Sequence, residues 1–195
     1  QEKLAECADI FCEKNVFTVE QSRRYLTAAR EQGFKLKIHA DEIVPFGGAE
    51  LAAELGCLSA DHLLQASDKG IRAMAKAEVV STLLPLTAFS LRENFARART
   101  MIDNNCMVSL ATDFNPGSSF SASVPLLFAL ACIYMAFTIN SAAAVGRADK
   151  IGSIDVGKQA DLVLLQFPSY KFLPYHVGMN IVEKVIKRGQ VLVNR

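Results

Sequence analysis

The chain has 195 residues, of which 51% are hydrophobic, and it carries a formal net charge of +1 with a pI of about 7.8. This length and composition are enough to bury a hydrophobic core. The nearly balanced charge gives no reason to expect binding to nucleic acid or to an anionic membrane. The longest apolar run, residues 124–138, is short for a membrane span and predicts a buried helix instead.

The cysteines and the first residues bear on the compartment. The chain has five cysteines without a C-x-x-C pair, and most lie among apolar residues, namely Cys7, Cys12, Cys57, Cys106 and Cys132. This pattern predicts buried free thiols in a reducing cytosol, not a zinc ribbon or a disulfide framework. The segment Gln1-Glu2-Lys3 does not resemble a signal peptide and lacks an initiator Met, so we expect a fragment or a processed piece.

Predicted strands and helices alternate along the first part of the chain. A short apolar strand at residues 8–12 ends on Glu13, and Thr18-Val19-Glu20-Gln21 is a capping box that opens a helix towards Gly33. A strand with alternating polarity follows at residues 34–39, with Lys35 and Lys37 on one face. The remaining predictions are helices at 49–55, 70–77 and 92–105 and strands at 58–62, 79–86 and 107–111.

This alternation predicts a parallel sheet flanked by helices. In such sheets the ligand site lies at the carboxyl ends of the strands, which converge in space. After about residue 140 the pattern changes to short apolar runs broken by glycines, at 146–165 and 182–193. These runs predict a small antiparallel β unit with strands at 160–165 and 190–193.

Three predicted strands end on polar side chains. The groups are His39 with Asp41 and Glu42, Asp61 with His62, and Asp113 with Asn115. An imidazole and carboxylates at strand ends are costly to bury and suited to chemistry. His39 and Asp113 together suggest a metal site, although a catalytic metal usually takes at least three protein ligands. His176 lies in a loop, and we interpret it as structural.

The loop that follows Asp113 allows two interpretations. The segment Asn115-Pro116-Gly117-Ser118-Ser119 has backbone donors and hydroxyls that could cradle an anion. The alternative is a tight turn without a ligand.

Five segments carry a resemblance to a known family. They are FCEK at 11–14, IHADE at 38–42, SADHL at 59–63, ATDFNPGS at 111–118 and GSIDVGKQADL at 152–162. With these segments the chain resembles the imidazolonepropionase family of the amidohydrolase superfamily over nearly its whole length. The last segment is common to many amidohydrolases, so the His39 and Asp113 motifs with their flanks point to this family.

The resemblance implies an α/β fold, the C-terminal part of a (β/α)8 TIM-type metal-dependent hydrolase barrel plus a small β-sandwich segment. Residues 1–145 would form about strands 4–8 of the barrel, and residues 146–195 the C-terminal β segment of a composite sandwich domain. The family's His-x-His metal ligands and the region of its first three strands have no counterpart here. Between Met135 and Thr138 the chain is also shorter than the family, by about three helical turns.

The resemblance further implies one zinc or iron ion and opening of the 4-imidazolone-5-propanoate ring to N-formimidoyl-L-glutamate in histidine degradation. His39 and Asp113 would be metal ligands, and Asp113 would also transfer protons between the attacking water and the leaving ring nitrogen. Glu42 would contact the ring and assist proton transfer. His62 would polarise the carbonyl under attack.

Substrate binding and assembly are also implied by the resemblance. Asn115, Gly117 and Ser118 would hold the carboxylate end of the small-molecule substrate, and the full-length family forms a homodimer. Two alternatives stay open at this point. One is another amidohydrolase such as a nucleobase deaminase, and the other is a catalytically dead remnant that acts as a binding or assembly partner.

Overall fold

A computed structural model describes residues 4–131, 139–176 and 179–194. Its strands are β1 (Cys7–Ala8), β2 (Phe11–Cys12), β3 (Lys35–Ala40), β4 (Ser59–His62), β5 (Val80–Leu83), β6 (Val108–Leu110), β7 (Leu162–Leu165), β8 (Val182–Lys187) and β9 (Gln190–Asn194). Its helices are α1 (Val19–Glu31), α2 (Gly48–Leu55), α3 (Asp68–Lys76), α4 (Pro85–Leu91), α5 (Ala98–Asp103), α6 (Val124–Ala131), α7 (Ile139–Ala144) and α8 (Phe172–Tyr175).

The first six strands form one parallel sheet in the order β1-β3-β4-β5-β6, with β2 also paired to β3. Each neighbouring strand is reached through a helix, as parallel pairing requires. The predicted α/β class and the parallel sheet with flanking helices are therefore confirmed, and the arrangement is that of part of a TIM-type barrel.

The predicted first strand is divided in two but keeps one register. Cys7 is paired with Lys35 and Phe11 with His39, so the spacing between partner positions does not change across the break. The backbone N–H of His39 donates to Ile10 within the break, at 2.9 Å. Residues 7–12 therefore act as a single edge strand against β3.

Hydrophobic periodicity decides which face of the sheet the helices cover. In β3, Leu36, Ile38 and Ala40 are buried, whereas Lys35 is exposed and Lys37 is half-buried. The buried side chains belong to a core that includes Leu26 of α1, and the predicted alternation of β3 is confirmed. The capping box of α1 is also confirmed, because Thr18 and Gln21 exchange side-chain to backbone hydrogen bonds.

Two boundary predictions are wrong. The strand predicted to reach residue 86 ends at Leu83, because Pro85 lacks the N–H that a strand ladder needs and instead occupies the first turn of α4. The helix predicted from residue 92 begins only at Ala98. Arg92 is the left-handed C-terminal cap of α4, with φ of 60°, and so ends one helix instead of starting another.

Asp41 has a structural role that differs from the expected chemical one. It is buried, and its carboxylate accepts hydrogen bonds from the backbone N–H groups of Phe46, Gly47, Gly48 and Ala49 at 2.8–3.3 Å. These donors lie at the N-terminus of α2, where free N–H groups favour a negative charge. The carboxylate of Asp41 thus fixes α2 against the end of β3.

The C-terminal part folds as the predicted antiparallel unit. Strands β7, β8 and β9 form a three-stranded sheet in that order. Asp161, directly before β7, links the start of β7 to the end of β8. Its carboxylate accepts from the Lys187 ammonium at 2.5 Å and from the Arg188 backbone N–H at 2.9 Å.

The remaining predictions concern thiols and apolar helices. Cys12, Cys57 and Cys106 are buried free thiols and Cys7 is partly buried, whereas Cys132 lies outside the described residues. The helix predicted at 124–138 is present as α6 up to Ala131, and residues 132–138 with the predicted shortening there are outside the described part. Among the helices that the structure describes, none is long and apolar enough to cross a membrane.

Candidate active site

A row of polar side chains crosses the parallel sheet at the carboxyl ends of its strands. His39 of β3 is paired with Asp61 of β4, Asp61 with Thr82 of β5, and Thr82 with Ser109 of β6. The hydroxyl of Ser109 donates to that of Thr82 at 2.9 Å. Because paired residues share a face of the sheet, the predicted polar strand ends are brought to one edge.

Three of these strand ends adopt left-handed backbone. Asp41 has φ of 49°, His62 of 75° and Asp113 of 50°. A non-glycine residue in this region costs about 1–3 kcal/mol, and such residues concentrate at functional sites. The left-handed residues turn the backbone sharply away from the sheet after each of these strands.

His39 is held by Asp9, a residue that the sequence analysis did not select. The Nδ1 atom of His39 lies 2.8 Å from the Asp9 carboxylate, and the Phe11 ring contacts the imidazole edge-on at 6.1 Å between centroids. Burial lowers the pKa of His39, but Asp9, Asp61 and Asp113 together raise it above the ordinary value.

His62 and Glu42 form a second pair beside His39. The rings of His39 and His62 are 5.3 Å apart, and Nδ1 of His62 lies 3.4 Å from a Glu42 carboxylate oxygen without hydrogen-bond geometry. Burial and the neighbouring His39 lower the pKa of His62 to about 4. Burial and the Asp113 carboxylate raise the pKa of Glu42. A neutral imidazole and a carboxyl group with increased proton affinity therefore lie side by side.

Asp113 lies shortly after β6 and is held by a hydroxyl of α4. The Thr87 hydroxyl donates to one Asp113 carboxylate oxygen, Oδ2, at 2.6 Å. The Asp113 charge influences the pKa values of His39, Glu42 and His62, which places it with them electrostatically. The predicted residues His39, Glu42, His62 and Asp113 therefore lie near one another.

The loop after Asp113 is ordered by Asn115. The Asn115 side-chain oxygen accepts from the backbone N–H groups of Gly117 and Ser118, both at 2.8 Å, and its amide donates to the Asp113 carbonyl at 2.7 Å. These N–H groups, expected to cradle an anion, are bonded within the loop. The hydroxyl of the half-buried Ser118 accepts from the Asn115 amide nitrogen at 3.0 Å and lies 3.2 Å from the Asn115 side-chain oxygen.

Glu13 is a further site residue whose role the sequence did not reveal. It is fully buried, and its carboxylate accepts from the backbone N–H groups of Lys14, Glu42 and Ile43 at 2.7, 3.0 and 2.9 Å. Its signals in the sequence were its position directly after an apolar strand and its place in the FCEK segment at 11–14. Glu13 fixes the backbone of the segment that carries Glu42.

A metal ion fits part of this arrangement. With Nδ1 of His39 bonded to Asp9 and Oδ2 of Asp113 bonded to Thr87, the Nε2 and Oδ1 atoms are the donors left for a cation. A carboxylate behind a ligating histidine is the usual outer partner in metal sites. Within residues 4–131, 139–176 and 179–194, however, no three His, Cys, Asp or Glu side chains are grouped to hold a metal. The chain would contribute two ligands to such a site.

His176 lies in the C-terminal part, remote in sequence from these residues. Its ring stacks on Phe167 at 4.5 Å, and its Nδ1 atom lies 3.1 Å from the Phe172 carbonyl oxygen. These contacts agree with the structural interpretation.

Comparison with known families gives a match over most of the chain. The model of the amidohydrolase family, Amidohydro_3, aligns with residues 7–193. The chain belongs to the amidohydrolase family.

The most similar curated proteins that were compared with this chain share one name. Proteins named imidazolonepropionase from three bacteria are similar to this chain. The one from Porphyromonas gingivalis is 65% identical to it over 98% of this chain's length, the one from Parabacteroides distasonis 67% over 94%, and the one from Clostridium tetani 62% over 100%. These alignments cover 48%, 46% and 49% of the relatives, so the chain spans about half their length. The Clostridium alignment runs over 204 residues against the 195 of this chain.

Solved structures of low sequence identity share the fold. An amidohydrolase crystal structure superposes with a TM-score of 0.78 at 17% identity, covering 98% of this chain and 55% of that one. The atrazine chlorohydrolase of Arthrobacter aurescens, complexed with zinc and atraton, superposes with a TM-score of 0.75 at 17% identity. The superposition covers 95% of this chain and 50% of that one. A zinc-bound adenosine deaminase from Xanthomonas campestris superposes with a TM-score of 0.66 at 21% identity. The superposition covers 92% of this chain and 50% of that one.

Proposed function

We propose that this chain is the C-terminal part of an imidazolonepropionase, which hydrolyses the cyclic amide C–N bond of 4-imidazolone-5-propanoate to N-formimidoyl-L-glutamate in histidine degradation. The observation that supports this most is the convergence of His39, Glu42, His62 and Asp113 at one sheet edge. Relatives with that name at 61–67% identity favour this substrate over a nucleobase.

The roles follow from the contacts of each side chain. His39 and Asp113 would hold one zinc or iron ion, which supplies Lewis acidity and a water of lowered pKa when bound. Asp113 takes a proton from the attacking water at Oδ2, which has a second lone pair beside the Thr87 hydroxyl, and later gives it to the leaving ring nitrogen. His62, neutral at physiological pH, donates an N–H to the carbonyl oxygen as negative charge develops there.

Glu42 and the loop after Asp113 orient the substrate in this proposal. Burial and the Asp113 charge raise the pKa of Glu42, and this increased proton affinity suits a carboxylate that contacts the imidazolone ring and assists proton transfer. Ser118 binds the propionate, and Asn115 with Gly117 keeps the loop in shape for that contact. Both assignments depend on charge and hydrogen-bonding capacity, and each predicts a different loss, of turnover for Glu42 and of substrate affinity for Ser118.

The proposal includes the missing half of the site. We assign residues 1–145 to about strands 4–8 of the barrel and residues 146–195 to the C-terminal segment of a composite β-sandwich. A groove of about 730 Å³ beside β2 and α1, lined by Phe11, Phe17 and Tyr25 among others, faces the side where the remaining strands would lie. The remaining metal ligands would come from that half, and the enzyme would work as a cytoplasmic homodimer.

Fragment complementation tests the proposal. The chain would be mixed with the N-terminal half of the Porphyromonas gingivalis relative, and metal content and imidazolonepropionate hydrolysis would be measured together. We expect about one zinc or iron per complex and turnover, with both lost in His39→Ala and Asp113→Ala. His176→Ala is the matched control, because its histidine lies away from the site, and it should retain both.

The outcomes discriminate between the candidate functions. The two halves of the Porphyromonas gingivalis relative serve as the positive control for complementation. If those halves restore activity and the folded chain does not, the imidazolonepropionase proposal is wrong and a non-catalytic remnant is favoured. Turnover of adenine or cytosine derivatives in place of imidazolonepropionate would favour the deaminase instead.

A further inference from the structure

Asp9 connects the edge strand to the imidazole of His39 through both of its carboxylate oxygens. One oxygen accepts from the backbone N–H of Ile10 at 2.9 Å, and the other lies 2.8 Å from Nδ1 of His39. The first bond fixes the side-chain rotamer of Asp9 relative to its own backbone. The second therefore reaches His39 from a carboxylate that is already oriented.

The same short segment also holds the backbone and ring of His39. The carbonyl of Ile10 accepts from the His39 backbone N–H at 2.9 Å, and the Phe11 ring contacts both His39 and His62. Residues 9–11 thus determine where the imidazole lies and leave it little rotational freedom.

The other carboxylates near His39 are engaged elsewhere. Asp61 accepts from the Lys37 ammonium at 3.1 Å and from the Ser59 hydroxyl at 2.8 Å. Asp113 accepts from Thr87. Among the described residues, Asp9 is the acidic side chain within ion-pair distance of His39.

We propose that Asp9 is a positioning residue that fixes His39 as the Nδ1–H tautomer and turns its Nε2 lone pair towards the strand ends. A neutral imidazole has one N–H and one lone pair, and the partner of one nitrogen decides which is which. The carboxylate accepts the Nδ1–H, so Nε2 carries the lone pair. The use of that lone pair for a metal ion rests on the proposed function, whereas the tautomer does not.

The tautomer can be measured in the chain itself by ¹⁵N NMR of labelled histidine rings. The chain has three histidines, so His39 can be assigned with His62→Ala and His176→Ala. At a pH of about 9, well above the ordinary pKa of histidine, we expect the native chain to show His39 as Nδ1–H. Asp9→Ala should shift it to Nε2–H, while Asp103→Ala, which removes an exposed carboxylate far along the chain, should not.

Two results would overturn the proposal. One is a native chain with His39 as Nε2–H, which needs no variant and so does not depend on how Asp9→Ala folds. The other is a folded Asp9→Ala chain that keeps the Nδ1–H tautomer unchanged.

Zinc titration separates this proposal from the proposed function. With Zn²⁺ alone as the probe and the His39 ring signals as the readout, Asp9→Ala should bind about 10–100-fold more weakly than the native chain, as for other outer-shell partners. If Zn²⁺ leaves the His39 signals of the native chain unmoved, the metal site of the proposed function fails in this chain. The positioning role of Asp9 would still be tested by the His39 tautomer in the native chain and in Asp9→Ala.

Discussion

The two sheets of this chain differ sharply in how they are covered. Every residue of β4, β5 and β6 in the parallel sheet is buried, whereas every residue of β9 in the antiparallel sheet is exposed. Leu192 of β9 is 63% exposed, and Leu36 of β3, the same residue type in a strand, is 4% exposed.

The difference lies in which part of the chain supplies the layer that packs against each sheet. In the parallel sheet each strand is followed by a helix that covers it, so packing partners come from nearby sequence. In the antiparallel sheet, two residues join β8 to β9, and residues 166–181 join β7 to β8. The four-residue α8 lies in that longer connection and leaves every residue of β9 exposed. An apolar strand can thus be specified by local sequence without a covering layer from the residues next to it.

The largest expected effect comes from truncating the same side chain in both sheets. Leu36→Ala should lower the free energy of unfolding by about 2–5 kcal/mol, because it leaves a cavity between β3 and the helices. Leu192→Ala should change it by less than about 0.5 kcal/mol, because the side chain is already in solvent. Urea denaturation followed by circular dichroism measures both.

The reverse ranking would be informative. A large loss in Leu192→Ala would mean that β9 is covered in solution, by a second copy or by another segment. Sedimentation of the native chain at two concentrations distinguishes self-association from cover within one chain.

A smaller effect is expected where the parallel sheet supports the site. Glu13→Gln keeps the side-chain volume but leaves one acceptor oxygen in place of two. Its NH2 group must then face either the Lys14 N–H or the Glu42 and Ile43 N–H groups, which lose their acceptor. The free energy of unfolding should fall by about 1–3 kcal/mol, the cost of unsatisfied buried polar groups. Thermal and urea unfolding measure the change.

The matched control for this prediction is Glu20→Gln, on the exposed face of α1. Its effect should stay within about 0.5 kcal/mol. Equal losses in the two variants would show that the backbone around Glu42 is held without Glu13.

The sequence was sufficient for the elements that local chemistry determines. The capping box at Thr18 and the alternation of β3 were each legible in a few consecutive residues. The convergence of His39, His62 and Asp113 followed from one rule, that carboxyl ends of parallel strands meet at one edge. The error at Pro85 arose because an apolar run indicates burial, and burial alone does not separate a strand from a helix.

What the sequence did not reveal are contacts between residues distant along the chain. Asp9 lies 30 positions before His39, and Glu13 lies 29 positions before Glu42. Neither partner is marked by spacing, because both contacts depend on the register of the edge strand against β3. Asp41 was misinterpreted in the other direction. Its position near His39 indicated a chemical role, but its carboxylate accepts hydrogen bonds from the N-terminus of α2. An acidic residue at a strand end is equally suited to either role, and the direction of the next helix decides between them.

The smallest expected effect is a pH response confined to the exposed sheet. The hydrogen bond from Lys187, followed by that from the Arg188 backbone N–H, lowers the pKa of Asp161 to about 2 from its ordinary 3.8. Because the folded pKa lies below the ordinary one, the stabilisation is complete above about pH 4 and is lost as the pH falls through about 2. The Arg188 amide proton shift should follow this protonation between about pH 6 and pH 2, and Asp161→Asn should abolish it. Asp149→Asn, an exposed carboxylate outside the sheet, should leave the titration unchanged, and a midpoint near the ordinary value would show that the β7–β8 connection is held by the strands alone.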